Sequence, residues 1–229
     1  MNKQAYPVVI LHIPKTAGTS LRKLIQENCP PEDIFYIYSE DSQFTTMQDF
    51  NKLTLEEKSK YKIFMGHISF NPKLFAGLSP VYITMLRDPV ERVLSYYHHV
   101  MRRNEWKGRN ISLLKYIETS GDGQISNHQT RMLNGYPKPP IDEMHLETAI
   151  HNLEKYFLIV GTTEHFDEAA DAVCAYFGWE YETTYRENVS EERNHIDYYS
   201  EYEIDKIKEL NEFDLKLYNY IDDNLSKRT

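Results

Sequence analysis

The stretch HIPKTAGTSL (residues 12–21) contains the side chains best suited to bind an anion. It follows the apolar run VVIL and leads into a helical pattern, so it should form a tight turn between a strand and a helix. In that arrangement, backbone N–H groups and the helix dipole attract negative charge. A lysine adds positive charge, and three hydroxyl groups add hydrogen-bond donors. The predicted anion-binding residues are Lys15, Thr16, Ala17, Gly18, Thr19 and Ser20.

The same loop departs from the Walker A pattern GxxxxGK[ST] of ATP-binding loops. Its first glycine is missing, and Pro14 precedes the lysine. Gly18 would allow either close approach of the backbone to a ligand or a positive φ. An ordinary helix start rich in capping residues is the alternative interpretation. The stretch alone therefore predicts an anion site without indicating which anion.

The second stretch is TMLRDPVERVLS (residues 84–95), in which an arginine ends an apolar run. The Arg87 guanidinium can bind a phosphate through two parallel hydrogen bonds. Ser95 lies seven residues beyond Asp88, on the same face of the predicted helix, where it could share that anion. Asp88 followed by Pro89 is typical of a helix N-terminus, and Arg87 beside it argues against a magnesium site. The alternative for Arg87 is an ion pair within the fold.

The third stretch, FMGHISF (residues 64–70), places a histidine directly after an apolar run. A neutral imidazole accepts a proton near neutral pH, so His67 is a candidate general base. Gly66 would leave space for a substrate beside it. The role of a lone histidine is more often structural than catalytic. The catalytic interpretation of His67 is favoured because His67 follows a strand, as the other two stretches do.

The elements that position these stretches alternate between strands and helices. Apolar, β-branched runs predict strands at 8–13, 33–38, 62–68, 80–86 and 157–163. Helical patterns lie at 19–29, 54–61, 88–103, 111–119, 142–154 and 164–179, and residues 200–225 predict one long C-terminal helix. This alternation predicts an α/β fold, a single P-loop-like domain over residues 1–229 with a mostly parallel central sheet flanked by helices. In such sheets ligands bind at the carboxyl ends of the strands, where all three stretches begin.

Composition is that of a soluble globular protein, with 41% apolar and 27% charged residues. No apolar run approaches the ~20 residues needed to span a bilayer. The N-terminal residues do not resemble a signal peptide, so we predict a cytoplasmic protein without a membrane span. Cys29 and Cys174 lie far apart, and no HExxH or clustered Cys/His pattern is present. We therefore predict free thiols and no metal site.

Charge is distributed unevenly along the chain, whose net charge is −9. Residues 1–140 hold 18 Lys and Arg against 13 Asp and Glu, whereas residues 141–229 hold 8 against 22. The acidic second half argues against wrapping a long polyanion, so nucleic acid is not predicted as a partner. The basic stretch MRRNEWKGR (residues 101–109) could still attract a small anion, although a solvated loop is the alternative.

The first two stretches, with the histidine between them, resemble the sulfotransferases that use PAPS (3′-phosphoadenosine 5′-phosphosulfate). The similarity is to bacterial-type members of the branch that includes heparan sulfate 2-O-sulfotransferase, and it extends over most of the chain. In that family HIPKTAGTSL corresponds to the 5′-phosphosulfate loop. LRDPVERVLSYY corresponds to the 3′-phosphate site, which implies Arg87 and Ser95 as its ligands. GHISF corresponds to the segment that supplies the catalytic histidine, which implies His67.

Two further stretches carry over from the same resemblance. NHQTRMLNG is similar to a stretch of bacterial members, and its Asn127, Gln129 and Arg131 are predicted either to contact the acceptor or to order the loop beside it. RENVSEERNHI lies where the family closes a loop over the nucleotide, which implies Asn188 and Arg193 as nucleotide ligands. That loop is unusually acidic in this chain.

The resemblance implies in-line transfer of a sulfuryl group from PAPS to an acceptor hydroxyl, leaving PAP (3′-phosphoadenosine 5′-phosphate). His67 would accept the hydroxyl proton, and Lys15 would neutralise charge on the leaving phosphate oxygen. Because the transferred group carries less charge than a γ-phosphoryl group, a lysine and oriented amides can serve in place of Mg²⁺.

The acceptor is predicted only as a saccharide or another small-molecule alcohol. The chain is shorter than the polysaccharide-modifying members, and its acidic balance fits a polyanion poorly. Two alternatives stay open, a P-loop-type kinase or nucleotide hydrolase and a non-catalytic protein that binds PAP or another nucleotide. The oligomeric state is not predicted.

Overall fold

Five parallel strands form one central sheet in the order β2-β3-β1-β4-β5. The computed structural model describes residues 7–38, 45–103, 111–120, 123–180 and 196–224. The strands are β1 (Val8–Leu11), β2 (Ile34–Ile37), β3 (Ile63–Gly66), β4 (Val81–Leu86) and β5 (Phe157–Thr162). This confirms the predicted α/β fold with a parallel central sheet flanked by helices.

Helices cover both faces of the sheet, and most of them overlap the predicted helical patterns. They are α1 (Gly18–Asn28), α2 (Met47–Lys52), α3 (Leu55–Lys58), α4 (Pro89–Arg102), α5 (Leu113–Thr119), α6 (His128–Leu133), α7 (Glu143–Tyr156), α8 (Phe166–Phe177), α9 (Glu201–Leu210) and α10 (Glu212–Asn224). Helix α8 ends at Gly178, whose φ is 75°. The short helices α2 and α6 were not predicted as separate elements.

Strand β1 is apolar along its whole length because both of its faces are buried. Val8 and Ile10 pack in one apolar cluster with residues of α1 and α8. Val9 and Leu11 face the opposite cluster, which includes residues of α7 and α10. A strand covered on both sides reads as a continuous apolar run, which explains the VVIL pattern.

The register of the sheet brings three side chains together at its carboxyl edge. Gly66 at the end of β3 pairs with Leu11 of β1 and with Ile37 of β2. The residues that follow these three strand ends are Tyr38, His67 and His12. Because the strands are parallel and in register, these residues lie next to one another.

Gly66 is required by the neighbouring strand rather than by a substrate. A Cβ atom at this position would lie 1.7 Å from the Ile37 carbonyl oxygen. The His67 N–H donates to that same carbonyl at 3.0 Å. The glycine therefore allows β2 to approach closely, which corrects the expectation that it opens space for a ligand.

The C-terminal segment forms two helices, so the prediction of one long helix is wrong. The break lies at Asn211, which is fully buried. Its Nδ2 donates to the Ile125 and Ile207 carbonyls, both at 2.8 Å, and its Oδ1 accepts the Asn127 N–H at 3.0 Å. These bonds to a distant segment stabilise the bend between α9 and α10.

Cys29 and Cys174 are both buried free thiols. Among the described helices, none is long and apolar enough to cross a membrane. Within the described ranges, no group of three or more His, Cys, Asp or Glu side chains is placed to hold a metal ion.

Candidate functional site

The loop between β1 and α1 turns sharply and leads into a helix that has no side-chain cap. Lys15 and Ala17 have φ angles of 72° and 59°. Helix α1 begins at Gly18 after Ala17, with no side-chain cap and no acidic residue in its first turn. Helices α2, α3, α7 and α9 each begin with a capping box instead. The first-turn N–H groups of α1 therefore suit an anionic ligand.

The hydroxyl groups of this loop differ in accessibility. Thr16 is fully buried, and its hydroxyl donates to the Ile13 carbonyl at 2.8 Å. The Thr16 hydroxyl thus uses its proton in a hydrogen bond within the loop, which corrects the expectation that this hydroxyl donates to an anion. Ser20 is also buried, whereas Thr19 and Lys15 are half-buried. Thr19 and Lys15 are the most accessible of the predicted polar ligands.

Gly18 lies directly against the imidazole of His12. A Cβ atom on Gly18 would be 1.9 Å from the His12 Cδ2 and Nε2 atoms. The φ of Gly18 is not positive, in contrast to those of Lys15 and Ala17. The close contact with His12, rather than backbone strain, explains this glycine.

Gly18→Ala is expected to lower the free energy of unfolding by about 1–3 kcal/mol, because the added methyl overpacks the contact with His12. Without that contact, alanine in a helix would stabilise by up to about 1 kcal/mol. Urea denaturation of Gly18→Ala, alone and in a His12→Ala background, separates the two effects. Gly18→Ala should be neutral or stabilising in the His12→Ala background, and an equal loss in both backgrounds would contradict the contact.

Tyr38, His67 and His12 form a compact group, which we call the ring cluster. The His67 ring centre lies 4.6 Å from that of His12 and 4.8 Å from that of Tyr38, with edge-on geometry. The Tyr38 hydroxyl lies 3.1 Å from His12 Nδ1. Arg22 of α1 hydrogen-bonds the same hydroxyl, and burial raises the pKa of Tyr38 to about 12. Because the Arg22 guanidinium can only donate to the Tyr38 hydroxyl, that hydroxyl is left to donate its own proton to His12 Nδ1.

Burial and positive charges keep the histidines of the ring cluster neutral. His67 remains accessible to solvent. Even so, the loss of hydration lowers its pKa to about 4, with further contributions from the charges of Arg22, His99 and Lys15. Burial, followed by the charge of His67, holds the pKa of His12 well below its usual value. Both imidazoles are therefore neutral at pH 7, the form that accepts a proton.

Arg87 follows β4 and combines an ion pair with an unused donor. The residue is 9% exposed, and its Nη2 donates to Glu91 Oε2 at 2.9 Å. Its Nε is buried and has no hydrogen-bond partner among the described residues. Asp88 caps α4 by accepting the Glu91 N–H at 2.9 Å, as predicted. Ser95 lies two turns further along α4 and is also buried. A buried N–H without a partner is costly, so an anion at this position would satisfy it.

The three predicted residues of NHQTRMLNG are buried and bonded within the protein. Asn127 Oδ1 accepts two backbone N–H groups of α10 at 2.9 and 3.1 Å. The Gln129 side-chain amide forms two hydrogen bonds with the backbone of Arg87. Arg131 donates to the Pro137 carbonyl at 2.8 Å and packs on a tyrosine ring. These bonds serve the ordering role, and we do not propose a direct contact between these side chains and an acceptor.

Two predicted nucleotide ligands, Asn188 and Arg193, lie outside the described residues, as does most of the basic stretch at 101–109. Arg102 and Arg103 at the end of α4 are described and exposed. Lys15, Arg87 and His67 follow the parallel strands β1, β4 and β3. All three therefore lie at the carboxyl edge of the sheet.

Sequence reasoning missed three contributors to this site, namely His12, Tyr38 and Arg22. The parallel register could have indicated the first two, because each directly follows a strand that pairs with the strand before His67. Arg22 lies one turn into α1 on the side of the ring cluster, 5.7 Å from the Tyr38 ring centre. A helical wheel alone does not indicate that position.

Comparison with known proteins gives one family over nearly the whole chain. The sequence profile of the Sulfotransferase family matches residues 1–221. Heparan sulfate 2-O-sulfotransferase 1 of Cricetulus griseus is 26% identical over 111 residues, covering 44% of this chain and 31% of that protein. Uronyl 2-sulfotransferase of Homo sapiens is 28% identical over 127 residues, covering 46% of this chain and 31% of that protein. The match thus spans less than a third of the length of these relatives.

A solved structure shares the fold. The crystal structure of mouse sulfotransferase SULT7A1 complexed with PAP superposes with a TM-score of 0.53 at 12% sequence identity. The superposition covers 98% of this chain and 87% of the mouse chain. At this identity the likeness concerns the arrangement of strands and helices.

Proposed function

This chain belongs to the sulfotransferase family, and on that premise we propose that it transfers a sulfuryl group from PAPS to the hydroxyl group of an acceptor. One observation carries the proposal. Two anion-binding features, the uncapped N-terminus of α1 and the unpartnered Nε of Arg87, follow the neighbouring strands β1 and β4. A donor with a phosphosulfate at one end and a 3′-phosphate at the other matches two such features. We also propose that residues 1–229 form one domain around this sheet.

The proposed donor site uses the backbone of the loop and a few side chains. The N–H groups from Thr16 to Ser20, with the Lys15 ammonium and the Thr19 hydroxyl, would hold the 5′-phosphosulfate. Arg87 and Ser95 would hold the 3′-phosphate. The buried Arg87 Nε supports this assignment, because a phosphate oxygen would supply the acceptor that it lacks. The Glu91 carboxylate pairs with Nη2 of the same guanidinium and leaves Nε for the ligand.

The proposed transfer uses His67 as the base. His67 takes the proton of the acceptor hydroxyl while that oxygen forms a bond to sulfur. The bond between sulfur and the phosphate oxygen breaks at the same time, and PAP leaves with the electron pair. Lys15 stabilises the negative charge that grows on the leaving oxygen. The neutral state of His67 at pH 7 supports its role as the proton acceptor.

The proposed acceptor is a saccharide hydroxyl. This choice rests on the names of the similar proteins, which refer to heparan sulfate and to uronyl groups. The exposed Arg102 and Arg103 at the end of α4 would favour an acceptor that carries some negative charge. An assay of this preference compares the turnover of a negatively charged saccharide with that of a neutral alcohol of similar size.

The proposal is tested by ligand-induced stabilisation and by turnover. At a concentration of 100 times its Kd, PAP should stabilise the native state by about 2.7 kcal/mol and raise the melting temperature by about 5–10 °C. Adenosine 5′-phosphate, which lacks the 3′-phosphate, should stabilise less. Isotopically labelled PAPS is then incubated with a saccharide panel, and mass spectrometry detects the sulfated product.

Two results would contradict the proposal in different ways. Turnover of ATP with Mg²⁺ and no stabilisation by PAP would indicate a kinase or nucleotide hydrolase. Stabilisation by PAP without transfer to saccharides or to any alcohol of a cell extract would indicate a protein that only binds the nucleotide.

A further inference from the structure

The Gln129 side-chain amide forms hydrogen bonds with both the N–H and the carbonyl of Arg87. The Arg87 N–H donates to Gln129 Oε1 at 2.9 Å, and Gln129 Nε2 donates to the Arg87 carbonyl at 2.8 Å. Gln129 is fully buried, so water does not compete for these bonds. Strand β1 ends at Leu11, which pairs with Thr84 of β4. At Arg87 the chain has therefore passed the last β1 pairing, and the glutamine amide supplies the two hydrogen bonds that a neighbouring strand would provide.

The helix that carries Gln129 is itself held by the C-terminal helix α10. The Asp214 carboxylate accepts the Gln129 N–H at 3.0 Å and the Thr130 N–H at 2.7 Å. It thus caps the N-terminus of α6, whose own N-cap residue, Asn127, makes no side-chain cap there. The Asn127 side chain instead accepts the N–H groups of Phe213 and Asp214 at the start of α10. Helices α6 and α10 therefore cap each other.

This reciprocal cap is buried and charged. Asp214 has no exposed surface, and burial raises the pKa of its carboxyl while the nearby Arg92 charge opposes that shift. Arg92 is also fully buried and donates to the Gln124 carbonyl. A buried carboxylate that holds two backbone N–H groups opposite an arginine is costly to disturb. The network therefore fixes α6 firmly against the end of β4.

We propose that Gln129 and Asp214 are positioning residues for the donor, which set the backbone of Arg87 so that its guanidinium meets the 3′-phosphate. The proposal rests on the proposed function, because it takes Arg87 as the 3′-phosphate ligand. It gives the C-terminal helix a role in donor recognition, although its residues lie more than 120 positions from Arg87 in the sequence. Because both side chains are fully buried, each would act through Arg87 and α6 rather than by touching the nucleotide.

The test compares two ligands that differ only in the 3′-phosphate. Gln129→Glu has the same shape but replaces the amide donor with an oxygen, so it loses the bond to the Arg87 carbonyl. The Kd of PAP and the Kd of adenosine 5′-phosphate are measured by isothermal titration calorimetry. PAP affinity is expected to fall about tenfold or more, and adenosine 5′-phosphate affinity to stay within about twofold. Gln48→Glu, the same change at an exposed position of α2, should alter neither Kd.

A second variant keeps the test decisive if Gln129→Glu does not fold. Asp214→Asn keeps the size of the side chain and one acceptor oxygen but removes the charge that caps α6. It should weaken PAP binding in the same selective way, by about fivefold or more. Circular dichroism establishes which of the two variants is folded before the titrations.

The outcomes separate the inference from the proposed function. An equal loss for both ligands, or no loss for either, in a folded variant would overturn the positioning role while PAP binding by the wild type stands. If the unaltered protein bound PAP no better than adenosine 5′-phosphate, the proposed 3′-phosphate site itself would be wrong.

Discussion

His67→Ala is expected to lower kcat by about 10²–10⁴ while leaving the Kd of PAP within about twofold of the wild-type value. The imidazole is the most exposed group of the ring cluster, and it is neutral at pH 7. In the proposed mechanism its removal leaves the acceptor hydroxyl without a proton acceptor, whereas the loop after β1 and Arg87 are unchanged. The measurement is turnover of labelled PAPS with the best saccharide acceptor, together with calorimetry of PAP binding.

The control for this variant is His151→Ala, because His151 lies exposed on α7. It should leave both kcat and the PAP Kd unchanged. Near-wild-type turnover by His67→Ala would show that another group takes the proton. A parallel loss of PAP affinity would instead indicate that His67 shapes the donor loop through His12.

The pH profile offers an independent test of the same assignment. As the proposed base, His67 would act only when neutral, so activity is expected to fall as the pH decreases through its pKa. Because burial and the charges of Arg22, His99 and Lys15 lower that pKa to about 4 in the free protein, kcat/KM should stay level from pH 8 to well below pH 6. The acid limb should appear near pH 4, measured with the donor far below its KM. A midpoint near 6.5 would contradict the charge environment described for His67.

The strands were predictable because most of their residues are buried and each strand reads as an apolar run, although Leu158 of β5 is exposed. The cap at Asp88 was predictable because Asp followed by Pro has a local physical meaning at a helix start. Both features depend on neighbours in the sequence. The predicted bounds of β1 were too long, since the apolar Ile13 extends the strand-like pattern after the sheet pairing has ended at Leu11.

The break between α9 and α10 was not predictable from periodicity. Apolar residues continue at helical spacing across it, from Ile207 through Leu210 and Phe213 to Leu217. What bends the chain is Asn211, whose hydrogen-bond partners include Ile125 and Asn127. A partner more than 80 positions away leaves no local pattern.

The hydrogen-bond partners of Asn127 and Gln129 were not predictable for the same reason. As polar residues near a predicted site, they fitted either an acceptor contact or an ordering role, and the tertiary structure adds their bonds to α10 and to Arg87. The ring cluster was partly predictable from the sequence. His12 and Tyr38 are distant in sequence, but the register of parallel strands places them beside His67.

Lys15→Met is expected to lower kcat by about 10²–10³, since in the proposed mechanism the ammonium group stabilises charge that develops mainly in the transition state. Methionine is also unbranched and only one atom shorter than lysine, and the positive φ of 72° is no harder for methionine than for lysine. Lys115→Met, the same substitution at an exposed position of α5, is the matched control and should have no effect. Turnover with labelled PAPS and the Kd of PAP are measured for both variants.

Lys15→Met should also change the titration of His67. The Lys15 charge is one of the causes that lower the pKa of His67, so its removal stabilises the protonated imidazole and raises that pKa. The acid limb of the residual activity should therefore move to higher pH, and the histidine NMR signals should show the same direction without any substrate. Lys15→Arg retains the charge, so it should keep the wild-type titration of His67 while losing activity through its different shape. Unchanged titration in Lys15→Met would show that Lys15 and His67 do not share one site, and the two-residue mechanism would fail even if both variants were inactive.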